Sequence, residues 1–443
     1  MQSRLIVKNF GPLKDIDIEL KNVNVFIGPQ ASGKSALAKL FTIFKAPRKF
    51  LKDFDKDSAT DRSEIYNKAF KDTLEEYNIG SFLNYDTEIK FDSVLHSVVY
   101  SDNKIIYESK LLNKVGELTL LQNNFDENKS KILSLLKEVG WNFVLFHMRM
   151  LEILDLKVTD NYLYKFSKGQ IDINEIQFEE ILKSFKQNEI YLSTNTSLYI
   201  PAERNFINII KNSALNLLNN NVPIPKHILA FGAELEKVTA KQIDLSFLQK
   251  NLFYRNVNGE DKIFVSEAKS FNLIEAASGV QSVLPILTTI LHRNNETEHR
   301  SFVIEEPELN LFPLAQYEII KLLELSRFDS SWEDYGTIHT YTTHSPYILA
   351  AINNLLYAHK VRTYFKDEEN DSTVISKLNK IIKVGINPHY FTCYQIFDGK
   401  AQSIFNEKTG LIDENFIDEA SDKIGDDFDA LMELMSEYKL AVK

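Results

Sequence analysis

Cysteine is almost absent: Cys393 is the one thiol in 443 residues. Neither an intrachain disulfide nor a cysteine-based zinc site can form, and that usage fits a reducing, cytosolic setting. Positive charge is also in deficit. Lys and Arg number 51 against 62 Asp and Glu, a formal net charge of −11. A surface basic all over, as many nucleic-acid binders have, is excluded, but a local basic patch is not. Lys45, Arg48, Lys49 and Lys52 form one candidate cluster, although such a run is more commonly the solvated end of a helix. Long apolar runs are missing. The longest, Val280 to Leu291, is too short and too interrupted by polar residues to span a bilayer. No leader-like stretch precedes the strand-like run Arg4–Lys8, so a cytoplasmic chain with no membrane partner is expected. Sustained heptads, internal repeats and low-complexity linkers are absent too. The remainder, 44% hydrophobic and 26% charged, is an ordinary globular composition on a chain long enough for two or three domains.

Against this background one octapeptide stands out. Residues 28–35 read Gly28, Pro29, Gln30, Ala31, Ser32, Gly33, Lys34, Ser35, a complete G-x-x-x-x-G-K-S phosphate-binding loop. A buried-strand pattern, Val23–Ile27, precedes it, and a helix start follows, with Ala36 in its first turn. A glycine-rich turn between strand and helix points backbone N–H groups inward, and the helix N-terminus adds partial positive charge. That concavity fits a triphosphate. Lys34 is expected to reach the β- and γ-phosphates of ATP, and the Ser35 hydroxyl to ligate Mg²⁺.

Three further stretches carry chemistry. Phe302–Ile304 reads as a buried strand that delivers Glu305, Glu306, Pro307 and Glu308 at its C-terminal end, where open α/β sheets bind ligands. Phosphoryl transfer to water needs one carboxylate near Mg²⁺ and another group for the attacking water, and side chains alternate along a strand. Glu305 is therefore assigned to the Mg²⁺ shell and Glu306 to the water. Ser278 and Gly279 precede an apolar helix and sit where free N–H groups meet an anion, although a capped helix start explains them as well. Thr342–Pro346 ends a strand at His344, with Ser345 as N-cap and Pro346 as first helical residue. That places one imidazole at the same rim, where a structural histidine is the commoner case.

The organisation follows from pattern. Arg4–Phe10 and Ile16–Leu20 read as strands around a Gly11-Pro12 turn, and His96–Tyr100 and Lys104–Ser109 as a hairpin around Asp102-Asn103. From about 110 to 194 helical spacing dominates, as in Lys131–Leu154, which predicts a helical insertion. Residues 205–250 read as helical, broken at Asn219–Asn221. Phe253–Asn258 and Lys262–Val265 form a hairpin, and helices follow at Gln281–His292, Leu314–Leu325 and Pro346–Leu356. The tail Phe416–Tyr438 has one apolar face and is expected to lie on the domain as an amphipathic helix. Asp427-Phe428-Asp429 has a D-x-D spacing but falls in that helix and reads as its solvated face.

These four motifs in this order resemble the ABC-type ATPase heads of the SMC, RecF and overcoming-lysogenization-defect (OLD) group, usually described as AAA family ATPases. The resemblance covers about 1–45 and 195–360, with 360–443 as the closing portion of the head. Lys8–Pro12 is similar to the opening strand and turn, Gly28–Ser35 to the Walker A loop, Ser278–Gln281 to the signature motif, Glu305–Glu308 to the Walker B strand end, and His344 to the switch histidine. It implies an α/β P-loop NTPase of ABC-ATPase type, a two-lobed head comprising 1–109 and 195–443 around an insertion at 110–194. It further implies an ATP-hydrolysing homodimer or higher oligomer, paired head-to-tail. ATP on one loop would be capped by Ser278, Gly279 and Gln281 of the other copy, with Glu306 as general base and His344 as γ-phosphate sensor. Glu305 stands where transporters usually have Asp, Val280 where they have Gly, and Phe312 where the OLD-like branch often has His. Arg204, in Tyr199–Arg204, resembles a recurring motif of that branch and is read either as a residue near the nucleotide or as a surface ion-pair partner. OLD nucleases carry a Toprim domain after the head; none is read in these residues, and any cutting of nucleic acid is expected from another chain. The expected role is a sensor or scaffold in a multi-protein complex, by resemblance bacterial anti-phage defence with a separate effector protein. A RecF-like repair ATPase binding DNA directly is the alternative. A transporter motor and a non-hydrolysing clamp fit the motifs less well.

Overall fold

The computed structural model describes residues 3–47, 50–51, 63–94, 96–139, 178–179, 181–183, 196–210, 214–237, 242–294, 300–328, 337–366 and 372–441. Its centre is a mixed eleven-stranded sheet. One half is antiparallel: Lys104–Ser109, His96–Ser101, Glu88–Ser93, Ser3–Phe10 and Leu13–Leu20 follow one another in spatial order. Lys400–Ser403 bridges to the other half, where Phe391–Phe397, Val23–Ile27, Ile338–Thr343, Arg300–Glu305 and Thr196–Ile200 run parallel. Strands from before residue 110 and after residue 195 thus interleave in one α/β sheet.

Burial explains this arrangement. All five residues of Val23–Ile27 are buried, as are all six of Ile338–Thr343, which is what a parallel strand covered on both faces requires. Val25 and Ile27 pack into a core beneath the helix Ser278–Asn294, whereas Phe26 and Val303 enter a second core beneath the helix Lys34–Lys45. That loop helix buries every residue except Ser35 and Lys39. The hairpin turns form where their residue types allow. Asp102, Asn103, Asn258 and Gly259 all take positive φ, as a two-residue turn of the favoured hand demands.

Three expectations fail. Residues 242–252 are not helical: Gln242–Asp244 pairs with Phe253–Val257 as the edge of a separate four-stranded sheet, because Ile243, Leu245 and Leu252 are worth more buried against the signature-helix core than on an isolated helix. Lys45 is no part of a surface patch. It is 3% exposed, and burial lowers its pKa to about 8; Arg48, Lys49 and Lys52 lie outside the described residues. The tail helix, Phe416–Ala441, leaves the domain after Ile417, with Ile424, Phe428, Leu431 and Met435 all exposed. Within the span read as an insertion, Lys110–Leu121 and Phe125–Val139 are helices that contact each other, with Leu118, Ile132 and Leu136 buried. The expected continuation to Leu154 lies outside the described residues.

Candidate functional site

Four parallel strands end at one level. Ile27 pairs with Thr343, Glu305 with Thr342, and Ile200 with Ile304. The chain leaves these ends as Gly28, His344, Glu306 and Pro201, so every motif read from the sequence except the signature turn opens onto the C-terminal rim.

The phosphate loop keeps its shape through close approach. A Cβ on Gly28 would run into the Ile396 carbonyl oxygen, and one on Gly33, whose φ is +100°, would lie 2.6 Å from Leu13 Cδ2. Lys34 opens the helix and curls back, its Nζ donating to the Gly28 and Pro29 carbonyls at 2.8 Å each. Burial lowers the Lys34 pKa to about 8, against the pull of Glu306, Glu305 and Glu308. Gln30, Ala31 and Ser35 face outward, while Ala36 is buried under the loop.

The carboxylates differ sharply from one another. Glu305 is 4% exposed; its Oε2 accepts a long bond from the Ala202 N–H at 3.4 Å, and its Oε1 is buried with no hydrogen-bond partner. Burial holds the neighbouring Tyr199 phenol well above its ordinary pKa, and Glu305 adds to that. Glu306 is half-buried and takes φ 42°, the left-handed region. Its Oε1 lies 3.7 Å from His344 Nε2. Burial lowers the His344 pKa and the Lys34 charge lowers it further, while a backbone bond with Gly28 opposes them, so the neutral imidazole is favoured. Glu308 is the residue whose part sequence reading left unassigned. Its Oε1 accepts from Thr343 Oγ1 at 2.6 Å and from the His344 N–H at 2.9 Å, tying the acidic turn to the histidine. Burial raises its pKa, and its Oε2 has no partner.

Arg204 is not the surface ion-pair partner that one of its two readings suggested. It is fully buried, and its guanidinium donates to the carbonyls of Ser282, Pro201, Glu305 and Glu306 at 2.7, 3.1, 2.7 and 2.8 Å. Nothing local in Tyr199–Arg204 announces this, since Glu203 stands beside Arg204 and three of the four acceptors are distant in sequence.

The signature helix begins at Ser278, three residues before the predicted start. Ser278 is exposed in its first turn, and Gly279 faces the Asn310 carbonyl so closely that a Cβ would stand 2.8 Å from it. Gln281 turns its amide inward to the Ile274 and Ala276 carbonyls at 3.1 and 2.8 Å. Pro285 cannot donate to the Gln281 carbonyl, and Asn208 Nδ2 does so instead at 3.2 Å. Among the described residues no hydrogen bond or ion pair joins Ser278 or Gly279 to the loop of the same chain. Exposed Ile274, Phe312 and Leu314 adjoin this turn in sequence and packing.

No helix among the described residues is long and apolar enough to cross a membrane, and no group of three His, Cys, Asp or Glu among them could hold a metal without other ligands.

The sequence matches the family model of an AAA ATPase domain over residues 1–349. Among solved structures the chain is similar to the Smc head domain with an extended coiled coil, bound to the C-terminal domain of ScpA, derived from Pyrococcus furiosus. That match has 11% identity, covers 91% of this chain and 96% of that one, and has a TM-score of 0.36. The SMC head domain from Thermotoga maritima matches at 11% identity, 91% and 98% coverage and TM-score 0.35. The recombination mediator RecF with ATP matches at 13% identity, 91% and 99% coverage and TM-score 0.28. No curated protein matches the chain.

Proposed function

The chain belongs to the AAA ATPase domain family, and from that premise we propose that it binds ATP at Gly28–Ser35, hydrolyses it with Glu306 as general base, and passes the resulting change of state to a partner protein. The observation that carries this reading is the convergence of Lys34, Glu305, Glu306 and His344 on one rim, with Glu306 Oε1 3.7 Å from His344 Nε2. Hydrolysis needs a group that orients or deprotonates the attacking water and a hydrogen-bond donor beside the γ-phosphate. A half-buried glutamate facing an imidazole that can donate an N–H meets that need. Lys34 would exchange its two carbonyl acceptors for phosphate oxygens.

The fit to Mg²⁺ rests on Glu305 Oε1, a buried carboxylate oxygen with no partner. Ser35 and Glu305 would hold the ion, the remaining ligands being water and phosphate. When bound, it neutralises the charge of the transferred phosphoryl group.

The exposed turn Ser278–Gly279, bordered by exposed Ile274, Phe312 and Leu314, supports capping of ATP by a second copy. The head comprising 1–109 and 195–443 would then close on ATP and open after hydrolysis, with the insertion at 110–194 as the surface read by the partner. The defence role with a separate effector rests on motif order and sequence resemblance to the OLD-like branch.

One experiment tests the core of this. The Glu306→Gln chain is expected to bind ATP normally, to lose a hundredfold or more of kcat, on the order of a general base's contribution, and to sediment as a dimer with ATP and Mg²⁺. Wild-type turnover would remove Glu306 from the mechanism; a monomer at every concentration would remove trans-capping.

A further inference from the structure

Arg204 forms no ion pair among the described residues; all four of its hydrogen bonds go to neutral backbone carbonyls. Burying a cation without a paired anion is costly, and a well-packed apolar residue would serve stability better. Glu308, Glu306, Glu305 and Glu203 surround it and resist its deprotonation, yet burial still brings its pKa down to about 10, leaving it charged at neutral pH. So expensive a group calls for a reason beyond packing.

The reason lies in which carbonyls it holds. Glu305 O and Glu306 O belong to the two peptide planes that flank the Glu306 Cα. Fixing both planes fixes φ and ψ at Glu306, the residue at φ 42°. A non-glycine residue in that region is strained and persists only where its surroundings enforce it. The Glu306 N–H is anchored on the Thr342 carbonyl at 2.9 Å, and its carbonyl also accepts the Leu309 N–H at 3.0 Å. The same guanidinium grips Ser282 O, in the second turn of the signature helix. Asn310 Nδ2 adds a bond to Ser282 Oγ at 3.1 Å from the far side of the acidic turn.

We propose that Arg204 is a positioning residue: it holds the Glu306 backbone in the left-handed conformation that aims the carboxylate, and it makes that aim depend on where the signature helix stands. This rests on the reading of Glu306 as the base. It gives a route within one chain by which a second copy docking on Ser278–Gly279 alters hydrolysis at the loop of the first: the helix shifts, Ser282 O shifts with it, and the guanidinium carries the shift to Glu306.

The test compares full-length Arg204→Lys, Arg204→Ala and Glu306→Gln with the wild type by steady-state hydrolysis, ATP binding and thermal unfolding. Lysine keeps the charge but cannot span four acceptors. Arg204→Lys is expected to lower kcat by about ten- to a hundredfold, the size expected from a small misplacement, with ATP affinity little changed. Millimolar guanidinium is expected to restore part of the Arg204→Ala turnover and to do nothing for the wild type. A lysine variant with wild-type kcat overturns the inference, as does a loss of turnover only in step with lost folded protein and without guanidinium rescue. If Glu306→Gln itself turns over normally, the base assignment fails and the inference falls with it. If Glu306→Gln is inactive while Arg204→Lys is normal, the inference alone fails.

Discussion

Two buried arginines occupy opposite ends of the same parallel strands. Arg204 sits at the C-terminal rim and spends its charge on carbonyls. Arg327 sits near the other end, 3% exposed, with Nε on Glu324 Oε2 at 2.8 Å. The other Glu324 oxygen accepts the Tyr341 hydroxyl at 2.7 Å; that hydroxyl meets His339 Nδ1 at 2.9 Å, and His339 Nε2 meets Thr337 Oγ1 at 3.1 Å. Burial would raise the Glu324 pKa, but Arg327 and His339 outweigh it and bring it down to about 2. The lower network is closed: its cation and its anion satisfy each other. The rim is open. Its cation organises backbone, and oxygens of Glu305 and Glu308 are left buried without partners. A closed network holds a fold together, whereas an open one has valences for a ligand.

The comparison breaks most visibly at Glu324. Replacing it with glutamine strands the Arg327 charge and should cost about 3–5 kcal/mol of stability by denaturant unfolding, while turnover per folded molecule stays at the wild-type level. A turnover collapse without destabilisation would show that the two ends do not differ as described. Next in size, Lys34→Ala should weaken ATP binding on the order of a hundredfold, about 3 kcal/mol, the value of a charge-assisted contact to phosphate. Its unfolding midpoint should move little; unchanged affinity by calorimetry would refute the phosphate-loop assignment.

The smallest effect separates the ends by pH. The folded pKa of Glu324 is depressed, so its contribution is complete above the ordinary carboxylate range near 4.5 and is lost as pH falls towards about 2. Burial also lowers the His339 pKa. The folded state resists protonating it while the unfolded chain does not, so stability begins to fall below its ordinary value near 6.5. The lower network therefore fails in acid. At the rim, Lys34 has a pKa of about 8 in the nucleotide-free protein. Phosphate favours its charged form, so above pH 8 binding must take up a proton, and ATP affinity should weaken by at most about tenfold per pH unit. Affinity that stays flat from pH 7 to pH 9 would mean that the lysine is already held charged.

Legibility tracked the range of the interactions. The hairpin turns at Asp102-Asn103 and Asn258-Gly259 and the N-cap Ser345, which accepts the Tyr347 N–H at 3.1 Å, depend on neighbours within a few residues, and the loop Gly28–Ser35 was legible from its residue types and spacing although distant Ile396 and Leu13 crowd its glycines. The tail helix was legible as a helix but not in its placement, because an apolar face states a need for burial without naming what supplies it. Residues 242–252 went astray because local helical spacing was outweighed by burial of Ile243, Leu245 and Leu252 against a distant helix.

By itself, then, the sequence determined that the chain carries a phosphate loop between strand and helix, that acidic side chains follow a buried strand, and that its single cysteine can form no intrachain disulfide. Each is a property of residue type and short spacing. Only the tertiary structure decided that Gly28, Glu306 and His344 share one rim, that Glu308 ties the acidic turn to the histidine, and that Arg204 joins them. Three of the arginine's four acceptors lie 78, 101 and 102 residues away, and a bond to a backbone carbonyl leaves no mark on the identity of the residue that accepts it.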